Sequence, residues 1–149
     1  MGMVDVGNKP VISRLAEAEG VIRLSSDTID RIREGKIKKG DPLLVAEVAA
    51  MNAVKQTHLL IPHCHQILLN QVELRFDVSN SSVTARCTVK SISRTGVEME
   101  ALIGVTIALN VIWDMVKYLE KDDKGQYPST AITDIKVIKK IKKNIPDQD

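Results

Sequence analysis

The chain has 149 residues and a formal net charge of +2, with 44% hydrophobic and 27% charged residues. This balance is typical of one globular domain and excludes global disorder, which requires low hydrophobicity and high net charge. Only four aromatic residues and two cysteines are present. The composition therefore excludes an aromatic stacking platform for single-stranded nucleic acid and a disulfide scaffold.

Two sequence features bear on localisation and domain organisation. The first ten residues, MGMVDVGNKP, lack the basic and apolar regions of a signal peptide. The longest apolar run, Ala101 to Trp113, is shorter than the roughly 20 residues of a membrane-spanning helix. We therefore expect a cytoplasmic, single-domain chain over residues 1–149, with an irregular arm at 1–10 and a lysine-rich tail at 139–149.

The first predicted elements are a strand and a short helix. Residues 11–24 alternate between apolar and polar side chains, which predicts a strand, and Gly20 within it is a candidate for a bulge. Ser25 or Ser26 then caps a short helix that ends at Gly35.

A second helix and a hairpin follow. Asp41 and Pro42 are typical of a helix start, and apolar residues at helical spacing predict a helix that continues to about Leu60. Apolar and polar side chains alternate regularly over residues 71–78 and 83–91, which are separated by a polar turn. This pattern predicts a hairpin with one solvent-exposed face.

The last predicted elements are a long helix and a strand. The helix, from about Val97 to Lys121, is apolar on nearly all sides, which predicts that a partner subunit covers part of it. The final strand is predicted at 131–141. The order β-α-α-β-β-α-β predicts an α+β domain with a mostly antiparallel sheet and helices packed on one face.

All three histidines lie close together in the segment HLLIPHCHQ. If the chain is extended after Pro62, His63 and His65 point to the same side. A structural zinc site requires four ligands, and no second cluster of cysteine and histidine exists in the sequence. We therefore favour a metal-free pocket at His63, Cys64 and His65, with ordinary surface histidines as the alternative.

Two pairs of charged residues are further candidates. Glu98 and Glu100 stand at the start of the long helix, where carboxylates complement the helix dipole even without a function. Asp114 and Lys117 share one face near its end and predict either a surface ion pair or an acid/base pair. Because Asp114 follows the apolar run, we expect its carboxylate to be partly desolvated.

Several lysines that are far apart in sequence are able to converge on a polyphosphate. The structural alternative for each is a solvated side chain. These lysines are Lys9, Lys38, Lys39, Lys55, Lys117 and Lys140.

The chain contains, in this order, the segments MVDVGNKP, KKGDPLLVAEVAAMNAVKQT, LIPHCHQILL, RTGVEMEALIGVTIAL and WDMVKYLEKD. In these motifs the chain resembles the molybdenum cofactor biosynthesis protein C family, the cyclic pyranopterin monophosphate synthases. The resemblance extends over roughly residues 3–140.

The resemblance implies a lyase that rearranges a cyclised GTP derivative, 3′,8-cyclo-7,8-dihydro-GTP, into the molybdopterin precursor cyclic pyranopterin monophosphate and releases pyrophosphate. The substrate comes from a partner radical GTP cyclase. The resemblance also implies a ferredoxin-like fold, a hexamer built as a trimer of dimers, and active sites at the dimer interface. It implies that no metal or organic cofactor is required.

Residue by residue, the resemblance implies catalytic roles for Asp114, Lys117 and Lys39. It implies substrate contacts for a larger set, namely His63, Cys64, His65, Glu98, Met99, Glu100, Lys55, Lys9, Arg14 and Lys140. For the last position, Lys139 and Lys142 are alternatives to Lys140. The chain departs from many members of the family at His63 and Gln66, where leucine and proline are common.

An alternative hypothesis is that the chain is not an enzyme but a basic domain that binds nucleic acid or another polyanion. The segment IKVIKKIKK, with five lysines in nine residues, favours it. The small net charge and the low aromatic content argue against it. Alternating lysines are also typical of a solvated edge strand.

Overall fold

The computed structural model describes residues 1–145, and residues 146–149 of the predicted tail lie outside the described residues. Residues 1–11 precede the first strand. The elements follow in the order β1 (Ile12–Arg23), α1 (Ser26–Arg33), α2 (Pro42–Lys55), α3 (Thr57–Leu60), β2 (Gln71–Val78), β3 (Ser82–Ser93), α4 (Glu98–Glu120) and β4 (Ala131–Lys143).

The four strands form one antiparallel sheet in the order β2-β3-β1-β4. This order and the two long helices match the split β-α-β arrangement of ferredoxin-like domains. The predicted α+β class is therefore confirmed. Ser25 caps α1 and Asp41 caps α2 through side-chain hydrogen bonds, as the sequence predicts.

The core lies between one face of the sheet and the two long helices. α4 lies very close to the sheet and to α2 at Gly104. A Cβ atom at this position would lie 2.5 Å from Cys87 Sγ and 2.8 Å from Val54 Cγ2. The sheet, α2 and α4 therefore meet at this glycine. Cys87 is fully buried and belongs to this core.

The prediction of one continuous helix from Pro42 to about Leu60 was wrong after Lys55. The chain leaves helical geometry at Gln56, where φ is −110° and ψ is 13°. The Thr57 hydroxyl donates a hydrogen bond to the Val54 carbonyl at 2.9 Å. A side chain that bonds to a nearby carbonyl competes with the helical pattern, and α3 continues as a separate turn.

The irregularity near Gly20 lies in β4 and not in β1. β1 pairs with β3 without a shift, whereas its register with β4 shifts between Glu17 and Ala18 and again between Glu19 and Val21, across Gly20. One extra residue of β4 is Ile138, since Lys139 faces Glu17 and Val137 faces Ala18. This bulge decides which lysines of β4 face the helices.

α4 has the length and the mean hydropathy, 1.6, of a helix that crosses a membrane. Half of its apolar window is buried inside the chain, and the helix packs against the sheet. This burial is typical of the central helix of a globular domain.

Candidate active site

Six of the candidate residues lie together at the N-terminal end of α4. The segment after α3 brings His63, Cys64 and His65 beside the first turn of this helix. They line a cavity of about 340 Å³ together with Glu98, Met99 and Glu100, and with Thr95 and Gly96 from the preceding loop. No side chain caps this helix end. Its backbone N–H groups and its dipole therefore favour negative charge at the cavity.

The pKa values of the two carboxylates at this end are shifted in opposite directions. Partial burial alone would raise the pKa of Glu98, but the hydrogen bond and positive charge of Lys140 outweigh it, so this pKa is lowered. Burial raises the pKa of Glu100, and the charge of Glu98 adds to the effect. Burial, with a smaller contribution from Glu100, also raises the pKa of the Cys64 thiol. Cys64 is therefore no activated nucleophile.

The register of β4 places Lys140 and Lys142 on the helix side of the sheet and Lys139 on the opposite side. Lys140 faces Ala16 of β1, a core position, and pairs with Glu98. Lys139 faces Glu17 on the opposite face of the sheet. Lys142 lies on the same face as Lys140, and its charge also lowers the pKa of Glu98.

The N-terminal arm crosses this end of the molecule. His65 Nε2 forms a 2.7 Å hydrogen bond with the Val4 carbonyl. Arg94 donates hydrogen bonds to the carbonyl oxygens of Gly7, at 3.0 Å, and Lys9, at 2.7 Å. The arm that carries Lys9 is thus fixed by two side chains near the cavity.

Arg14 has a supporting position in the same region. Its side chain is buried and donates hydrogen bonds to the carbonyl oxygens of Ser93, at 3.0 Å, and Arg94, at 3.1 Å. Its guanidinium therefore holds the loop that carries Arg94.

A second cluster lies at the C-terminal end of α4. Asp114 accepts hydrogen bonds from Lys117 at 2.7 Å and from Lys39 at 3.0 Å, and Lys39 also donates to the Asp114 carbonyl at 2.9 Å. Asp114 and Lys117 line a cavity of about 460 Å³ with Asn110 and Trp113. The three residues expected to be catalytic are therefore in direct contact.

The expected desolvation of Asp114 was wrong for the single chain. Its side chain is 57% exposed, because Met115 and Val116 occupy the buried face of this helical turn. The hydrogen bonds from Lys117 and Lys39 lower the pKa of Asp114 to about 2. The same contact raises the pKa of Lys117. Both groups are therefore charged at neutral pH.

The candidate lysines do not converge within one chain. Lys39 and Lys117 meet at Asp114, whereas Lys140 lies at the other end of α4. Lys55 lines a third cavity of about 400 Å³, together with His58 and Met51. His58 is thus separated from His63 and His65, so the three histidines do not line one site.

The two ends of α4 are far apart. Glu98 and Asp114 are sixteen positions apart on one helix, which corresponds to about 24 Å along its axis. One chain therefore presents two separate groups of candidate residues, one at each end of this helix.

Sequence reasoning did not single out Arg94, Tyr118 or Glu120. Tyr118 accepts a hydrogen bond from the Lys38 backbone, and the buried carboxylate of Glu120 accepts bonds from α1 and from the segment before β4. Spacing gives one signal, since Tyr118 is four positions after Asp114 and shares its helix face. Periodicity gives no signal for Glu120.

Among residues 1–145, no group of three or more histidine, cysteine, aspartate or glutamate side chains is arranged to hold a metal ion.

Comparison with known proteins assigns the family. The family model described as "MoaC family" matches residues 3–143. The chain belongs to the MoaC family. A relative from Methanothermobacter thermautotrophicus, named probable cyclic pyranopterin monophosphate synthase accessory protein, is 57% identical over 140 residues, which cover 94% of this chain and 88% of the relative.

Two further relatives are named probable cyclic pyranopterin monophosphate synthase. The one from Methanococcoides burtonii is 53% identical over 146 residues, covering 98% of this chain and 92% of the relative. The one from Pyrococcus abyssi is 53% identical over 140 residues, covering 94% and 88%. The resemblance to the MoaC family stated from the sequence motifs is thus confirmed.

Proposed function

We propose that this chain is a cyclic pyranopterin monophosphate synthase of molybdenum cofactor biosynthesis. It acts as a lyase on 3′,8-cyclo-7,8-dihydro-GTP and releases pyrophosphate. Membership of the MoaC family and the names of its relatives support this activity over the binding of nucleic acid. The lysine-rich strand gives the alternative less support, because Lys140 pairs with a carboxylate of the same chain.

We further propose that each active site forms between two chains. The observation that carries this proposal is the division of the candidate residues between the two ends of α4. The N-terminal end supplies carboxylates and His65, and the C-terminal end supplies Asp114 with two lysines. A purine-derived triphosphate needs both kinds of group, because its base presents N–H donors and its phosphates carry negative charge.

The surface between the two ends supports a two-fold contact. On this helix face Ile103, Thr106 and Ile107 are only half-buried by the chain itself, and Asn110 is exposed. If two α4 helices pack antiparallel about an axis near Thr106, the N-terminal end of each helix lies beside the C-terminal end of the other. A two-fold axis therefore completes two equivalent sites and covers the apolar residues. We propose that three such dimers form the hexamer.

The chemistry assigned to each group follows from its charge. Formation of the cyclic phosphate joins a substrate hydroxyl oxygen to the α-phosphorus and breaks the bond between that phosphorus and the β-phosphate. Lys39 and Lys117 stabilise the negative charge of the departing pyrophosphate. Asp114 and Lys117 move protons during ring opening and closure, while Glu98, Glu100 and His65 hold the base-derived rings. Lys9, Lys55 and Lys140 add positive charge around the phosphates.

This assignment needs no metal or organic cofactor. The substrate has to be supplied by a radical GTP cyclase that forms the bond between ribose and base. We propose the cytoplasm as the site of the reaction.

The first test is direct. Purified protein is incubated with the cyclised GTP, and released pyrophosphate and the fluorescent pterin formed on oxidation are measured. We expect both products, with no loss of activity in a chelator. Failure to form either product, together with salt-dependent affinity for random DNA, would favour the non-enzymatic alternative.

The second test addresses the shared site. Asp114→Asn and Glu98→Gln chains, each inactive alone, are refolded together, and light scattering follows the mass of the assembly. Random pairing leaves one intact site in half of the dimers, so about a quarter of wild-type activity should return. If each site lies within one chain, mixing will restore nothing. A monomer mass at micromolar concentration would also contradict the shared site.

A further inference from the structure

The turn that carries Lys39 has backbone hydrogen bonds from Gly35, Lys36 and Gly40, but none of them involves the amide of Lys38 or Lys39. It connects α1 to α2 and contains two glycines with positive φ, Gly35 at 66° and Gly40 at 108°. Ile37 is buried, but the side chains of Lys38 and Lys39 are exposed. A lysine ammonium on a flexible four-carbon stem keeps a defined position only if its backbone is anchored.

The anchor lies on α4. Tyr118 Oη accepts a hydrogen bond from the Lys38 N–H at 2.8 Å. The next residue, Lys39, places its ammonium within 3.0 Å of both Asp114 Oδ2 and the Asp114 carbonyl oxygen. Asp114 and Tyr118 are four positions apart and therefore lie on the same face of the helix. The backbone and the side-chain end of the Lys38–Lys39 pair are thus tied to one turn of α4.

We propose that Tyr118 is a positioning residue for the synthase reaction, which fixes Lys39 against Asp114 through the Lys38 backbone. This inference rests on the proposed function, because it assumes that Lys39 takes part in turnover. Misplacement of a charged group by a fraction of an ångström weakens its interaction with the transition state. The tyrosine hydroxyl itself contacts no reacting atom in this assignment.

The test removes only the hydroxyl, with the variant Tyr118→Phe. A net hydrogen bond has a value that corresponds to about a three- to tenfold change in an equilibrium, so kcat/KM should fall by about that factor. The matched control is Ser79→Ala, because the Ser79 hydroxyl likewise accepts a backbone N–H bond, from Ser81, but in the β2–β3 turn. The control should stay within about twofold of the wild type.

A double-mutant cycle separates positioning from general destabilisation. In a Lys39→Ala background, Tyr118→Phe should change kcat/KM by less than about twofold, since the ammonium that it positions is absent. The same loss in both backgrounds, or no loss in the single variant, would overturn the proposal.

Amide hydrogen exchange provides a readout that does not depend on activity. Exchange at the Lys38 amide should be about tenfold faster in Tyr118→Phe than in the wild type and unchanged in Ser79→Ala. If the wild type releases no pyrophosphate, the proposed function fails, whereas Lys38 exchange still decides whether the tether exists. Equal Lys38 exchange in Tyr118→Phe and the wild type would overturn the inference by itself.

Discussion

The two ends of α4 present carboxylates in opposite settings. At the N-terminal end Glu100 is buried and its pKa is raised, while a lysine holds the neighbouring Glu98 ionised. At the C-terminal end Asp114 is exposed, yet two lysines lower its pKa to about 2. Burial therefore sets the direction of the pKa shift at Glu100, and ion pairing sets it at Glu98 and Asp114.

The ends also differ in how they are held. The first turn of α4 has no side-chain cap, whereas the buried carboxylate of Glu120 ties its last turn to α1 and to the segment before β4. The backbone N–H groups at the N-terminal end are thus available to hydrogen-bond a ligand. At the C-terminal end, Asp114, Lys39 and Lys117 already form ion pairs in the single chain. The N-terminal end combines carboxylates with Lys140, whereas the proposed catalytic cluster of Asp114, Lys39 and Lys117 lies only at the C-terminal end.

The largest effect is expected from Asp114→Asn. The amide nearly preserves the shape but exchanges no proton at neutral pH, so turnover should fall about 10²- to 10⁴-fold. The melting temperature should change little, because this carboxylate is exposed. Pyrophosphate release and thermal unfolding are the measurements. Asp27→Asn, which breaks another exposed ion pair, with Arg31, is the control. Near-normal turnover in Asp114→Asn would remove the proposed catalytic group.

The next largest effect concerns stability at the anchored end. Glu120→Ala leaves the hydroxyls of Ser25, Thr28 and Thr130 without their buried acceptor. We expect a loss of about 2–4 kcal/mol in the free energy of unfolding, measured by urea denaturation. Glu34→Ala, which removes an exposed partner of Lys36, should cost far less. Equal losses in the free energy of unfolding would show that the buried hydrogen bonds to Glu120 stabilise the fold no more than an exposed ion pair does.

A smaller effect distinguishes the two faces of β4. Lys140→Met removes the partner of Glu98 and a positive charge beside the cavity, so kcat/KM should fall about tenfold. Lys139→Met removes the same charge from the opposite face and should stay within about twofold. A larger loss from Lys139→Met than from Lys140→Met would contradict the register of β4.

The sequence predicts the elements well and their contacts less well. Alternation and capping residues are local, so β1, the hairpin and the start of α2 appear where they are expected. The break at Gln56 and the extra residue Ile138 change neither hydrophobicity nor spacing, and periodicity therefore misses both.

For the candidate residues too, the sequence predicts their identity better than their surroundings. Family motifs identify Asp114 and the residues of the N-terminal cavity, but they do not indicate that Asp114 is exposed. Its burial depends on which face the neighbouring apolar residues occupy. Tyr118 bonds to Lys38, which is 80 positions away, and Glu120 bonds to Ser25 and Thr28, which are 95 and 92 positions away. No local sequence pattern encodes such contacts.

The smallest effect is the titration of Asp114 itself. Lys117 makes the largest contribution to its lowered pKa, followed by Lys39. Removing the ammonium in Lys117→Met should raise the pKa of Asp114 from about 2 toward its ordinary value of 3.8. Because Lys39 remains, the pKa should stay below that value. Lys39→Met should produce a smaller rise, and NMR titration of the carboxyl carbon measures both.

The sign of the accompanying stability change follows from linkage. A lowered native pKa stabilises the fold above the unfolded pKa, and this stabilisation disappears as the pH falls through the native value. The wild type should therefore lose this contribution between pH 3.8 and about 2, and Lys117→Met should have less to lose over the same interval. If wild-type Asp114 titrates near pH 3.8, Lys117 and Lys39 do not form persistent ion pairs with this carboxylate in solution. The contrast between the ion-paired Asp114 and the buried Glu100 would then fail.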